Sequence, residues 1–191
     1  LYKNYEGDKN ENDMSNIDAI ISYANTAKIM GNIYQFMGIY DSSYYYHTKA
    51  INSIDEIKEN EFDSYLDKIY PNQITADIME SIGRTEYSLG NYLDAINSYK
   101  KVINIDRESE EQDPHILIFP LLGLNLTYKS LNKAYDVKHI KRLNQQINYN
   151  EYVLNNRLVL YLDLFQLLED TSYLELAYNE VQEKADNLEP D

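Results

Sequence analysis

The chain has 191 residues, of which 43% are apolar and none is cysteine, and its formal net charge is −15. Without cysteine it forms no disulfide, thiolate metal site or cysteine nucleophile, and the acidic balance disfavours binding to DNA or RNA. No apolar run is long enough to span a membrane and no leader pattern begins the chain, so we expect a cytoplasmic protein without membrane contact.

The start of the chain is polar and charged, so residues 1–14 are predicted to be a flexible segment. Because the first residue is Leu1, we also expect the chain to be a piece of a longer protein. The rest, residues 15–191, is predicted to form one helical repeat domain. Its first helix contains Gly31, a turn follows at Gly38, and Ser43 and Ala50 lie at helical spacing after that turn.

Residues 51–72 keep apolar side chains at a helical period across an acidic stretch. This pattern predicts a long second helix with a break near Asn60. Pro71 is predicted to end that element, because proline lacks an amide proton and disfavours helix in the residue before it.

The most regular pattern lies in residues 82–102. Gly90 can adopt the left-handed conformation that ends a helix, which predicts two helices joined by a tight turn. Gly83 and Ala95 are small enough to let these helices cross closely. After the turn, Ala95, Tyr99, Val102 and Ile103 recur three or four residues apart, so they share one face of an amphipathic helix.

Two further helix pairs are predicted near the C-terminus. Asp113 and Pro114 are typical of a helix start, while Pro120 either kinks that helix or delays its beginning. Turns are predicted at 131–132 and 169–170. The last helix, residues 173–188, is polar enough to cap the array; in a chain cut from a longer array, its exposed end would instead be apolar and could self-associate.

The helix, turn and helix around Gly83, Gly90, Ala95 and Tyr99 resemble a tetratricopeptide repeat (TPR). Weaker copies surround it, and their landmark glycines are Gly31, Gly83 and Gly123. The resemblance implies an all-α fold, a right-handed α-solenoid of antiparallel helix pairs forming a TPR-like superhelix of about eight helices. The predicted units are roughly residues 15–70, 72–109, 113–148 and 150–188.

No constellation in the sequence indicates catalysis. His47, His115 and His139 lie on separate predicted helices, each without a second histidine nearby, so we expect surface or packing roles and no metal or cofactor. Gly-rich phosphate loops and nucleophile motifs are missing, so the protein is predicted not to be an enzyme.

Three consecutive tyrosines, Tyr44, Tyr45 and Tyr46, must point in three directions on a helix. We expect two of them to pack between helices and one to be exposed. The alternative is an aromatic anchor at an interface with a partner.

The resemblance also implies a concave binding groove lined by the first helix of each pair. Lys28 and Asn32 resemble the pair with which some family members bind a peptide carboxylate, but the region around Leu117 and Leu121 lacks the further basic residues, and Glu80 would repel a carboxylate. An amphipathic helix or an extended basic and apolar peptide is the expected ligand. The predicted groove residues are Asn25, Lys28, Asn32, Gln35, Asp77, Glu80, Arg84 and Tyr87.

The sequence therefore favours a non-catalytic protein–protein interaction scaffold that binds a basic or amphipathic peptide or partner protein, and no nucleic acid. The alternative is a regulatory or sensory segment of a larger multidomain bacterial protein, such as a sensor kinase, a transcription regulator or a caspase-like peptidase. A related possibility is a peptide-pheromone receptor. The oligomeric state stays open.

Overall fold

The computed structural model describes residues 8–59, 65–108, 114–146 and 156–187, with side chains at 18–56, 73–105, 117–145 and 156–187. Within these ranges every element is an α-helix and no strand occurs, as the all-α prediction requires. The predicted break near Asn60 and the predicted N-cap Asp113 lie outside the described residues. The helices are α1 (Asp8–Phe36), α2 (Tyr40–Glu59), α3 (Tyr65–Ser88), α4 (Tyr92–Glu108), α5 (Pro114–Ser130), α6 (Val137–Gln146), α7 (Arg157–Leu168) and α8 (Ser172–Asp186).

The chain divides into two compact units, Leu1–Gly90 and Asn91–Asp191, and each is described by itself. Unit 1 contains α1 to α3, and unit 2 contains α4 to α8. The predicted crossing of Gly83 with Ala95 would join the two units and stays a prediction, as do the four repeat boundaries.

Turns end the helices where the sequence predicted them. Gly38 and Gly90 have φ angles of 72° and 78°, in the left-handed region that glycine enters without steric cost. Asn132 and Glu169 take the same conformation at φ 54° and 57°, which confirms the turns predicted at 131–132 and 169–170. Each of these residues therefore ends its helix within a tight turn.

In unit 1, α2 packs against both α1 and α3. The contact between α1 and α2 depends on Gly31, because a Cβ atom there would lie 2.3 Å from Cδ2 of His47. Ala24, Ala27 and Ala50 are buried close by, so small side chains bring the two backbones together. Larger side chains, including Ile54 and Ile78, complete this core.

Two prolines lie inside helices. Pro71 does not end an element as predicted, since α3 begins at Tyr65 and continues through residue 71 to Ser88. Pro120 likewise lies within α5, which is described from Pro114. Each proline removes one backbone hydrogen bond near the start of a helix, while buried residues farther along, such as Ile78 in α3, keep the helix packed.

In unit 2, α5 packs against α4 and α7, and α7 packs against α8. The apolar face predicted for α4 is confirmed, because Ala95, Tyr99, Val102 and Ile103 are all buried. A Cβ atom on Gly123 would lie 2.4 Å from Cζ of Tyr99, so this glycine admits the tyrosine ring between α4 and α5. Within the described part of the chain, no helix combines the length and apolarity needed to cross a bilayer.

Candidate functional site

Unit 1 brings the predicted groove residues onto two neighbouring helices, since α1 and α3 are in contact. All eight are partially exposed, so each is accessible to a ligand while part of it is held by the fold. We call this set the α1–α3 surface. It consists of Asn25, Lys28, Asn32 and Gln35 on α1, and of Asp77, Glu80, Arg84 and Tyr87 on α3.

An ion pair connects the two helices across this surface. Nζ of Lys28 lies 3.1 Å from Oδ2 of Asp77, and the two side chains are 21% and 36% exposed. A pair that water reaches stabilises a fold by about 1 kcal/mol or less. Its main effect is therefore to orient two opposite charges at the seam between α1 and α3.

A second ion pair lies within α3, where Nε of Arg84 donates to Oε1 of Glu80 one helical turn away. Together with the pair of Lys28 and Asp77, this pair gives the α1–α3 surface two positive and two negative side chains, so their formal charges cancel. The acidic character of the chain as a whole is therefore located outside this surface.

Asn32 is held from beneath by His47 on α2. Nε2 of the histidine donates to Oδ1 of Asn32 over 2.9 Å, which places the proton on Nε2 and fixes the orientation of the amide. The side-chain nitrogen of Asn32 is consequently the group that this amide can offer as a donor to a ligand.

His47 belongs to a polar cluster that sequence reasoning missed, formed by the buried Ser43, His47 and Thr85 and the half-buried Asn32. Thr85 donates its hydroxyl proton to the carbonyl oxygen of Ser81, so its Oγ1 can accept from the Ser43 hydroxyl at 2.9 Å. Nδ1 of His47 lies 3.4 Å from both hydroxyl oxygens. Since its members lie on α1, α2 and α3, this His47 cluster links three helices.

The environment of His47 keeps its ring neutral at pH 7. Burial lowers the pKa of His47 from 6.5 to about 4; a hydrogen bond with the backbone of Lys28 opposes this change, and the charge of Lys28 adds to it. The packing role predicted for His47 is thus accompanied by a hydrogen-bonding one.

Ser43, His47 and Asn32 have the order of a nucleophile, a base and an orienting amide. However, Ser43 and His47 are 0% exposed, so the hydroxyl is closed to a substrate while the three helices stay packed. The arrangement can hold helices together, but it offers no surface on which a reacting group could dock.

The tyrosine run differs from the expectation. Tyr44 and Tyr45 are both exposed, while Tyr46 stacks on Tyr34 with the ring centroids 5.3 Å apart. The prediction of two packed tyrosines and one exposed was wrong, because α2 directs only Tyr46 towards α1. Tyr45 instead lies edge-on to Tyr46 and under Nζ of Lys49.

Two other features of the protein surface lie outside this set of residues. A cleft of about 480 Å³ between α1 and α2 is bordered by Tyr23, Lys49 and Glu56, none of which belongs to the α1–α3 surface. In unit 2, Lys138, Lys141 and Arg142 are exposed on α6.

Asp136 caps the basic helix α6. Its Oδ1 accepts from the backbone N–H of His139 at 2.9 Å, and this bond holds the pKa of Asp136 below its ordinary value. The side chain of His115 lies outside the part of the chain whose side chains the structure describes. Among the residues that the structure describes, no three histidine, aspartate or glutamate side chains are grouped to hold a metal ion.

The α1–α3 surface is therefore a preorganised, charge-balanced polar surface on two helices. Comparison with protein-family models finds no match to the chain, and comparisons with curated proteins and with solved structures find none either.

Proposed function

We propose that the protein is a non-catalytic interaction scaffold that binds an extended segment of a partner protein on the α1–α3 surface. We further propose that its helix pairs form a TPR-like solenoid with a right-handed superhelix. The observation that carries the proposal is the held amide of Asn32 beside the ion pair of Lys28 with Asp77, since both are ordered before any ligand arrives.

Amide side chains suit the backbone of an extended peptide, because each carries a donor and an acceptor like those of the peptide bond itself. Asn25, Asn32 and Gln35 lie within three turns of α1 and supply three such groups. They support recognition through the main chain of the ligand, so the α1–α3 surface tolerates several side-chain sequences.

The charges of the surface supply selectivity. Lys28 and Asp77 can each exchange their shared ion pair for a group on the ligand, at a cost of about 1 kcal/mol or less for a pair that is already partly solvated. The net charge of −15 attracts a basic segment over longer distances. The partner class is therefore a basic, extended segment of a protein.

Peptide selection followed by calorimetry tests this proposal. Peptides selected from a random displayed library on the intact chain are titrated into the protein and into the double variant Asn25→Ala/Gln35→Ala, which leaves all charges in place. The matched control is Asn97→Ala/Gln145→Ala, which removes one asparagine and one glutamine from exposed positions in unit 2.

We expect at least a tenfold loss of affinity, about 1.4 kcal/mol, for the first variant and no change for the control. Equal binding by both variants would place the peptide elsewhere and refute the assignment of this surface. Failure to select any peptide would refute the proposed function.

A further inference from the structure

Basic side chains are concentrated in one part of this otherwise acidic chain. Residues 129–142 contain five of the 17 lysine and arginine residues but only one of the 32 aspartate and glutamate residues. Three of these cations, Lys138, Lys141 and Arg142, lie on α6 and are exposed. Because Lys141 and Arg142 follow Lys138 by three and four residues, the three side chains share one side of the helix. We call them the α6 basic face.

The fold of unit 2 holds α6 by its other side. Ile140, on the side opposite to the α6 basic face, is 0% exposed. Nδ2 of Asn144 donates to the hydroxyl oxygen of Tyr173 on α8 over 2.9 Å, and Asp136 caps the first turn. The α6 basic face is therefore presented to solvent on a helix that is already positioned.

The carboxylates beside α6 are occupied by other donors. Asp136 accepts from the backbone N–H of His139, and Asp170 accepts from the hydroxyl and the backbone N–H of Ser172 at 2.7 and 3.0 Å. The α6 basic face attracts these two carboxylates only from a longer distance. Among the described residues, no carboxylate lies within ion-pair distance of its members.

Helix stability does not account for this arrangement. Lys138 lies three residues from Lys141 and four from Arg142, and like charges at these spacings destabilise a helix. Lys138 also lies in the first turn of α6, where the helix dipole disfavours a cation. A bound anionic group would relieve both unfavourable interactions, so the arrangement favours an acidic ligand.

We propose that the α6 basic face binds an acidic segment of a partner protein, in which several aspartate or glutamate side chains lie close together. Arg142 can hold one carboxylate through two parallel N–H···O bonds, while Lys138 and Lys141 act as point charges towards its neighbours. Val137 borders Lys141 and is 38% exposed, so it adds an apolar contact. The segment that fits best therefore combines carboxylates with an apolar side chain.

The size of the α6 basic face favours a protein segment over a larger polyanion. The helix has 10 residues and is thus roughly 15 Å long, about two Debye lengths at physiological ionic strength. A short acidic segment can lie within this region. A DNA duplex or an anionic bilayer extends beyond it and meets the rest of a chain whose net charge is −15. This inference does not depend on the proposed binding of a basic segment, which concerns the α1–α3 surface in unit 1.

Binding of a defined peptide to the intact chain tests the proposal. The probe is a fluorescent dodecapeptide of glutamate and leucine, titrated at several salt concentrations. Lys141→Gln/Arg142→Gln removes two members of the α6 basic face. Lys100→Gln/Lys101→Gln is the matched control, because it removes two adjacent, exposed cations from α4 and changes the net charge of the protein equally. Circular dichroism verifies that both variants keep their helix content.

We expect the unmodified chain and Lys100→Gln/Lys101→Gln to bind the peptide with similar affinity, which should fall as the salt concentration rises. Lys141→Gln/Arg142→Gln should bind it at least tenfold more weakly, because two of the three cations are gone. Equal affinities of the two variants, or no binding by the unmodified chain at low salt, would overturn the proposal.

The same proteins test the alternative occupants. A DNA duplex, and vesicles of equal parts phosphatidylserine and phosphatidylcholine, should each bind more weakly than the peptide. Tighter binding of either one, lost in Lys141→Gln/Arg142→Gln, would overturn the assignment to a protein segment. Sedimentation velocity examines a second copy of this chain as the occupant. Self-association of the unmodified chain that the same variant abolishes would likewise overturn the assignment to a partner protein.

Discussion

The burial of His47 predicts a specific dependence of stability on pH. The folded state holds the pKa of His47 at about 4, whereas the ordinary value is 6.5. The proton therefore binds more tightly to the unfolded chain. This difference corresponds to about 3 kcal/mol, which is a large part of the stability of a small domain.

The sign follows from the direction of the shift. Because the folded-state pKa is depressed, the stabilisation is complete above pH 6.5 and is lost as the pH falls from 6.5 to about 4. The charge of Lys28 on α1 contributes to the same direction, while the hydrogen bond with its backbone opposes it. Below pH 4 the contribution of His47 stays constant.

Urea unfolding at several pH values measures this effect, with His47→Gln as the reference. Glutamine does not titrate, and its amide can still donate to Oδ1 of Asn32. Carboxylates titrate in both proteins, so the difference between the two stability curves isolates the histidine. We expect the unmodified chain to lose about 3 kcal/mol more than the variant between pH 7 and pH 4.

Proton NMR provides a direct measurement of the same quantity. The chain has three histidines, and the resonance that disappears in His47→Gln belongs to His47. A titration midpoint near 4 would agree with the buried, hydrogen-bonded ring. A midpoint near 6.5, or parallel stability curves for the two proteins, would refute the described packing of α2 between α1 and α3.

Two further substitutions test the packing of unit 2. Gly123→Ala places a Cβ atom against the ring of Tyr99, so we expect urea unfolding to show a free energy of unfolding lower by about 1–2 kcal/mol, after the gain in helix propensity. The same change in a Tyr99→Leu background should be neutral or stabilising. An equal loss of stability in both backgrounds would contradict the contact. Arg157→Ala should destabilise the protein by about 1–3 kcal/mol, because it removes a partner 3.0 Å from the buried carboxylate of Glu180. Lys184→Ala removes a mostly exposed partner of the same carboxylate and should destabilise the protein by less than about 1 kcal/mol. The reverse order of the two effects would contradict the burial of Glu180.

Local sequence signals predicted the parts of the fold that depend on one or two residues. Gly90 marks a turn because few other residues enter the left-handed region, and the spacing of Ala95, Tyr99 and Val102 marks a buried face because neighbouring turns of a helix align these residues. The prediction that Pro71 ends a helix was wrong, because the proline removes only one backbone hydrogen bond while the rest of the 24-residue helix stays packed.

The contacts of the His47 cluster depend instead on how three helices are placed against one another. Ser43 and Thr85 are 42 residues apart, and no local pattern aligns α2 with α3 closely enough to bring their hydroxyl groups within 2.9 Å. The available sequence signal was a glycine, Gly31, on the first helix of the pair and a polar ring, His47, on the second. It indicated close approach but not the hydrogen bonds that accompany it.

Contacts between distant residues also bear on Lys28 and Asn32, whose spacing resembles a carboxylate clamp. Lys28 lies 3.1 Å from Asp77, 49 residues away, and Asn32 directs its oxygen to His47. A ligand carboxylate could reach Lys28 only by displacing Asp77, which would then stand beside the incoming negative charge. A basic group avoids this conflict, because it can take the place of Lys28 beside Asp77 while the amide of Asn32 stays fixed. In the proposed complex, the ion pair between α1 and α3, which the sequence could not reveal, thus favours a basic segment over an acidic one.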